Sequence, residues 1–117
     1  MSIIKSIIIY IIASIAFFTI GPIVLLMIII SPSNSSKFII PFCKFMIIIF
    51  GCKLKVYGKF PKNETFVIMA NHVSFLDVFA IPSSFDHSKK FSAIAASKNF
   101  KIPIYSIFLK KMRVVSI

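Results

Sequence analysis

The residues best suited to acid–base chemistry lie in one short run, positions 71–77, which reads Asn-His-Val-Ser-Phe-Leu-Asp. A carboxylate that accepts the Nδ1 proton of a histidine fixes its tautomer and leaves Nε2 able to take a proton from a hydroxyl group. Residues three or four apart face each other on a straight helix, whereas His72 and Asp77 are five apart. We therefore expect His72 in a loop and Asp77 in the first turn of the following helix, as a general base with its orienting carboxylate.

The same run also has a purely structural interpretation. Ser74 and Asp77 have the spacing of a capping box, with Ser74 as the N-cap of a helix and Asp77 at its third position. The two interpretations are compatible, because a capped helix would hold Asp77 rigidly beside His72.

Composition excludes several other kinds of site. The chain of 117 residues is 58% hydrophobic, has a net charge of +11 and contains three acidic residues, Glu64, Asp77 and Asp86. Three acidic residues are too few to favour a two-carboxylate hydrolase or an acidic metal site. Two cysteines form neither a disulfide framework nor a zinc site. We expect no bound metal and no nucleic-acid partner, and the composition favours a small, basic, membrane-associated protein.

Two apolar segments precede the motif and predict a membrane-anchoring helical hairpin over residues 1–51. Residues 6–30 carry no charge and are long enough to cross a bilayer as a helix. A polar turn leads to a shorter apolar run, residues 38–50, which suits a shallow or interfacial helix. Lysines crowd after residue 52 and indicate that the following part faces the cytoplasm, from the inner or cytoplasmic membrane.

Residues 52–117 have the sequence pattern of an α/β domain. Alternating or β-rich runs predict strands at residues 53–57, 65–70, 90–96 and 113–117, with helices at residues 74–84 and 102–112. Strands that alternate with helices indicate a sheet covered by helices. The motif would then follow the buried strand 65–70, and open α/β sheets place their sites at such strand ends.

This sequence resembles the glycerolipid acyltransferases, the family that includes 1-acyl-sn-glycerol-3-phosphate acyltransferase. The first motif of that family is Asn-His, four residues and Asp, which matches Asn71, His72 and Asp77. The segment Ala-Ser-Lys-Asn-Phe at 96–100 and residues 114–117 are similar to later parts of the family. The resemblance implies a mixed sheet covered by helices, acyl-CoA or acyl carrier protein as donor with no bound cofactor, and membrane lipid and a lysophospholipid acceptor as partners.

The resemblance also implies roles for single residues. His72 would deprotonate the acceptor hydroxyl, Asp77 would orient His72, and Asn71, Ser74 and Lys98 would contact substrate. Ser74 as a nucleophile is the rival mechanism.

The chain departs from the family because the arginine of its second motif and its third, phosphate-binding motif are not in the sequence. We therefore expect residues 52–117 to be the N-terminal part of the acyltransferase domain, inactive alone, with the missing half as a further partner if it is a separate chain. Two alternatives stay open. One is a non-catalytic, membrane-anchored basic protein that binds anionic lipid or a partner, and the other is the product of a disrupted gene.

Overall fold

The computed structural model describes residues 2–71, 73–86 and 92–117. The regular elements in these ranges are, in chain order, α1 Ile3–Ile30, α2 Ser35–Ile49, α3 Asp77–Ser83, β1 Ile94–Ala95, α4 Pro103–Lys111 and β2 Val115–Ser116. Short 3-10 helices at Pro32–Asn34 and Ser97–Lys101 connect α1 to α2 and β1 to α4.

Helix α1 is long and apolar enough to cross a membrane. Its 28 residues give a length of about 42 Å at 1.5 Å per residue, more than the roughly 30 Å hydrocarbon core. Ser2 begins it as N-cap, with its Oγ accepting from the Lys5 amide at 3.4 Å. Pro22 lies inside the helix without ending it. Most of the Ile and Phe side chains of α1 are exposed.

Helix α2 packs against α1, and the two helices form a hairpin. It begins three residues earlier than the apolar run indicates, at Ser35, and its 15 residues give roughly 22 Å. Ala13 and Ala16 of α1 are buried in the core that the two helices share, where Ile39 and Met46 of α2 are also buried. Small residues at such an interface let two helix backbones approach closely.

The later elements pack onto this hairpin. Helix α3 packs against α2, and α4 packs against α1. Phe79 of α3 and Met112, just after α4, are buried members of the same core cluster as the hairpin residues. The core therefore lies between the hairpin and the helices that follow it.

Strands β1 and β2 form a parallel pair, joined through Ser97–Lys101 and α4. The amides of Val115 and Ile117 donate to the carbonyls of Ala93 and Ala95 at 2.9 and 3.0 Å. The predicted strands 90–96 and 113–117 are confirmed at residues 94–95 and 115–116, with residues 90 and 91 outside the described ranges. The helix predicted at 102–112 is confirmed as α4.

Two predicted strands are wrong. Residues 53–57 and 65–70 lie in no helix or strand, and Val67 and Met69 are 83% and 94% exposed. A strand exists only through hydrogen bonds to a neighbour, and within the described residues the only paired strands are β1 and β2. The sheet is therefore a parallel pair and not the mixed sheet covered by helices that we expected.

Candidate active site

The motif at residues 71–77 lies at the start of α3. His72, the predicted general base, lies outside the described residues. Asn71 and Ser74 are exposed, and Asp77 is half-buried as the first residue of α3. The described side chains of the motif therefore lie in and just before the first turn of α3, the helix that packs against α2.

The Asp77 carboxylate is fixed by the backbone that precedes it. Its Oδ2 accepts hydrogen bonds from the amides of Val73 and Ser74, both at 2.9 Å. Hydrogen bonds to an ionised acceptor are short and strong, and two of them from adjacent amides fix the orientation of the carboxylate. The carboxylate is thereby held against the backbone amides of Val73 and Ser74.

Ser74 completes the local cap. Its Oγ accepts a hydrogen bond from the Leu76 amide at 3.2 Å, while its own amide donates to Asp77. The prediction of Ser74 as N-cap is wrong, because the N-cap position of α3 is Leu76 and Asp77 is the first helical residue. Of the predicted capping box, the bond from the Ser74 amide to the Asp77 carboxylate is present, whereas the Ser74 hydroxyl bonds the Leu76 amide ahead of the helix. A serine hydroxyl that bonds the amide two residues further on stabilises a local turn.

The helix begins later than predicted because its first turn is tight. The Asp77 and Val78 amides donate to the carbonyls of Ser74 and Phe75, three residues back, at 3.1 and 3.3 Å. The first four-residue bond runs from the Ala80 amide to the Leu76 carbonyl at 2.9 Å. The predicted helix 74–84 is therefore a capping turn followed by α3, which ends at Ser83.

The buried residues that hold the motif in place are not the ones that the sequence indicates. We expected residues 65–70 to form a buried strand beneath it, but they are exposed apart from the half-buried Phe66. The buried support is Phe79, which is 3% exposed and lies among rings of the hairpin. Sequence reasoning missed this residue, for which the only signal was its spacing of four from Phe75.

Lys98, the third predicted substrate-binding residue, is exposed on a different element, the 3-10 helix Ser97–Lys101. Further exposed basic side chains of this part are Lys101, Lys110, Lys111 and Arg113. The part of the chain that the structure describes contains no group of three or more side chains that would suit a metal ion.

Comparison with known proteins bears on the same part of the chain. A family model described as "Acyltransferase" matches residues 53–117, which is more than half of the chain and contains the whole motif and Lys98. No curated protein and no solved structure matches the sequence.

Proposed function

The chain belongs to the acyltransferase family, the glycerolipid acyltransferases, and we propose that it transfers an acyl chain from acyl-CoA or acyl carrier protein to a lysophospholipid. Family membership supports acyl transfer in general. The finer proposal, 1-acylglycerol-3-phosphate as acceptor and phosphatidic acid as product, follows from the resemblance of the motif. The observation that carries the proposal is that the matched region contains a motif whose carboxylate is held in place.

In the proposed reaction His72 acts as general base and Asp77 positions it. The imidazole Nε2 takes the proton of the acceptor hydroxyl, and the oxygen attacks the thioester carbonyl carbon. The new ester forms as the carbon–sulfur bond breaks, and the leaving thiolate takes up the proton. Two amides already hold Asp77 Oδ2, and an ionised carboxylate has acceptor sites on both oxygens. We propose that it also accepts the Nδ1 proton of His72, which fixes the reactive tautomer.

The proposed substrate contacts use exposed polar groups of the same region. Asn71 and Ser74 flank His72 in the chain and are exposed to an arriving substrate. Lys98 is proposed to attract a phosphate group of the donor or acceptor. The Ser74 hydroxyl stabilises the turn before α3, which favours a binding or structural role over that of a nucleophile.

The test of the reaction is a fusion protein. Residues 1–117 are joined to the phosphate-binding half of an established lysophosphatidic acid acyltransferase whose own first half has been removed. We expect the fusion to convert labelled acyl donor and lysophosphatidic acid to phosphatidic acid, while each half alone stays at background. A fusion that inserts into membranes yet forms no product with either donor would contradict the proposal.

We also propose that α1 and α2 anchor the protein in the cytoplasmic membrane with residues 52–117 on the cytoplasmic side. The exposed apolar side chains of α1 support this placement. The two cysteines report on it, because Cys43 is buried in the hairpin and Cys52 is exposed just after it. We expect the protein to resist extraction by alkaline carbonate. A membrane-impermeant maleimide should label Cys52 in inside-out vesicles only, and labelling in right-side-out vesicles would reverse the orientation.

A further inference from the structure

Phe79 lies where three elements of the molecule meet. Its ring centroid is 6.4 Å from that of Phe17 on α1, 6.4 Å from that of Phe42 on α2, and 6.2 Å from that of Phe50 at the end of α2. The Phe17 and Phe79 rings meet edge to face, an arrangement that aromatic pairs favour. We call Phe17, Phe42, Phe50 and Phe79 the hairpin aromatic cluster.

This cluster determines where α3 lies. A helix of seven residues is far too short to be stable without packing, so its position depends on the side chains that it buries. Phe79 and Ser83 are its buried residues, and the Ser83 hydroxyl bonds carbonyls of its own helix, Phe79 and Ala80. Of the two buried side chains, Phe79 is therefore the one that contacts rings of the hairpin.

The position of α3 in turn determines that of the Asp77 carboxylate. Asp77 begins this helix two residues before Phe79, and its Oδ2 holds the amides of Val73 and Ser74. Both bonds are local, joining residues three and four apart in the chain, so they last only while α3 and the turn before it stay folded, and a helix this short stays folded only while it is packed. The two hydrogen bonds therefore report on how well α3 is seated.

We propose that Phe79 is a positioning residue that couples the membrane hairpin to the active site. The hairpin aromatic cluster seats α3, and α3 places the Asp77 carboxylate that orients His72. This role rests on the proposed function. In this arrangement the hairpin is part of the structural support of the site in addition to being its anchor, so an unrelated membrane helix would not replace it.

A second aromatic group supplies a matched control. Phe60 stacks on Phe66 and Phe85 with centroid distances of 5.7 and 5.0 Å, and both partners follow the hairpin in the chain. Phe60→Ala removes the same side chain as Phe79→Ala, and the ring contacts of Phe60 are made outside the hairpin. A general loss of aromatic packing and a loss of coupling to the hairpin can therefore be told apart.

The experiment measures amide hydrogen exchange of the 117-residue chain in phosphatidylcholine–phosphatidylglycerol vesicles. In Phe79→Ala we expect the amides of Val73 and Ser74 to exchange at least about tenfold faster, while the amides of α1 and α2 keep their protection. Phe79→Leu, which restores most of the lost volume, should return the rates to within about threefold of the original chain. Phe60→Ala should leave these two amides unchanged.

Other outcomes would overturn the proposal. Rates at Val73 and Ser74 that do not change in Phe79→Ala would show that the cluster does not place the carboxylate. An equal acceleration in Phe60→Ala would show a general loss of packing, and a loss of protection throughout α1 and α2 would show that the fold as a whole depends on Phe79. The measurement needs no acyl transfer, so its result is independent of whether the fusion protein forms phosphatidic acid.

Discussion

The hairpin and the segment that follows it, residues 52–73, differ in whether their backbone groups form the hydrogen bonds of a helix or strand. Helices α1 and α2 form their hydrogen bonds within themselves and bury Ile28, Ile40 and Met46 almost completely. In the following segment the described residues form no helix or strand, and only Phe60 and Phe66 are half-buried. The motif at 71–77 therefore does not take its position from the segment that precedes it in the chain. It takes it from the hairpin, through α3.

This difference distinguishes the support of the proposed site from the groups that perform its chemistry. The hairpin supplies buried apolar surface, whereas the proposed chemistry depends on a few polar groups at its edge. Variants in the hairpin should change stability and membrane insertion first, and activity only through the position of α3, whereas variants of the polar groups should change activity directly.

The largest effect is expected from His72→Ala in the fusion protein. General-base catalysis contributes roughly 10²–10⁴-fold, so phosphatidic acid formation should fall by about that factor. Asp77→Asn should also be severe, because the amide is a poorer acceptor for the histidine proton and would misorient the ring. The measurement is the initial rate with labelled acyl-CoA.

The control for both variants is membrane insertion, which should stay as in the parent because neither residue lies in α1 or α2. Full activity in His72→Ala would remove the proposed base. Extraction of either variant by alkaline carbonate would show that the substitution also disturbs the hairpin, and the loss of activity would then not report on chemistry alone.

Stability should depend on the hairpin and not on residues 65–70. Ile40 is 0% exposed, and Ile40→Ala should lower the free energy of unfolding by about 2–5 kcal/mol. Met69 is 94% exposed, and Met69→Ala should change it by no more than about 0.5 kcal/mol. Unfolding of both variants is followed by circular dichroism in the same detergent.

Ile48→Ala is the matched control within α2, because Ile48 is 71% exposed, and its effect should resemble that of Met69→Ala. A loss of several kcal/mol in Met69→Ala would mean that residues 65–70 are buried, as a strand would be. The sequence-based interpretation of this segment would then replace the observed one.

The two regions also differ in how far the sequence predicts them. The helices at 6–30, 38–50 and 102–112 are predicted because a helix satisfies its backbone locally, so an apolar run and its ends carry the needed information. The strands at 53–57 and 65–70 were predicted wrongly, since alternation and β-branched residues indicate a strand only where a partner lies beside it. The capping of Asp77 follows from its local spacing to Ser74. The support from Phe79 depends on long-range packing that no local pattern contains.

Ser74→Ala should separate capping from chemistry. Its hydroxyl accepts a hydrogen bond from the Leu76 amide in the turn before α3, and removing one such bond costs about 1 kcal/mol. We expect that loss in thermal unfolding, with activity of the fusion protein reduced far less than in His72→Ala. A loss of activity as large as that of His72→Ala would favour Ser74 as the nucleophile.

The smallest effects are expected at the C-terminal ends of α2 and α4, which have the same pattern of capping hydrogen bonds. At the end of α2, Cys52 N–H donates to the Ile47 carbonyl and Gly51 N–H to that of Ile48, with Gly51 at φ 69°. This is a Schellman cap, in which glycine adopts the left-handed conformation without cost. Gly51→Ala should lower the free energy of unfolding by about 1 kcal/mol. Beyond its neighbours in the chain, no heavy atom lies within 4 Å of the added Cβ, so the loss reflects backbone strain without a steric clash, offset in part by the lower freedom of the unfolded chain.

The end of α4 has the same cap with a less suitable residue. Val114 N–H donates to the Leu109 carbonyl and Arg113 N–H to that of Lys110, with Arg113 at φ 54°. Glycine would remove the strain of the left-handed conformation, but it would also give the unfolded chain more freedom, which offsets part of the gain. Arg113→Gly should therefore raise the free energy of unfolding by less than about 1 kcal/mol, measured in the same detergent as Gly51→Ala. Arg113→Lys controls for the exposed side chain, since it keeps the charge and the Cβ. If Arg113→Gly destabilises the protein while Arg113→Lys does not, Arg113 is not in the left-handed conformation, and the cap after α4 differs from the one after α2.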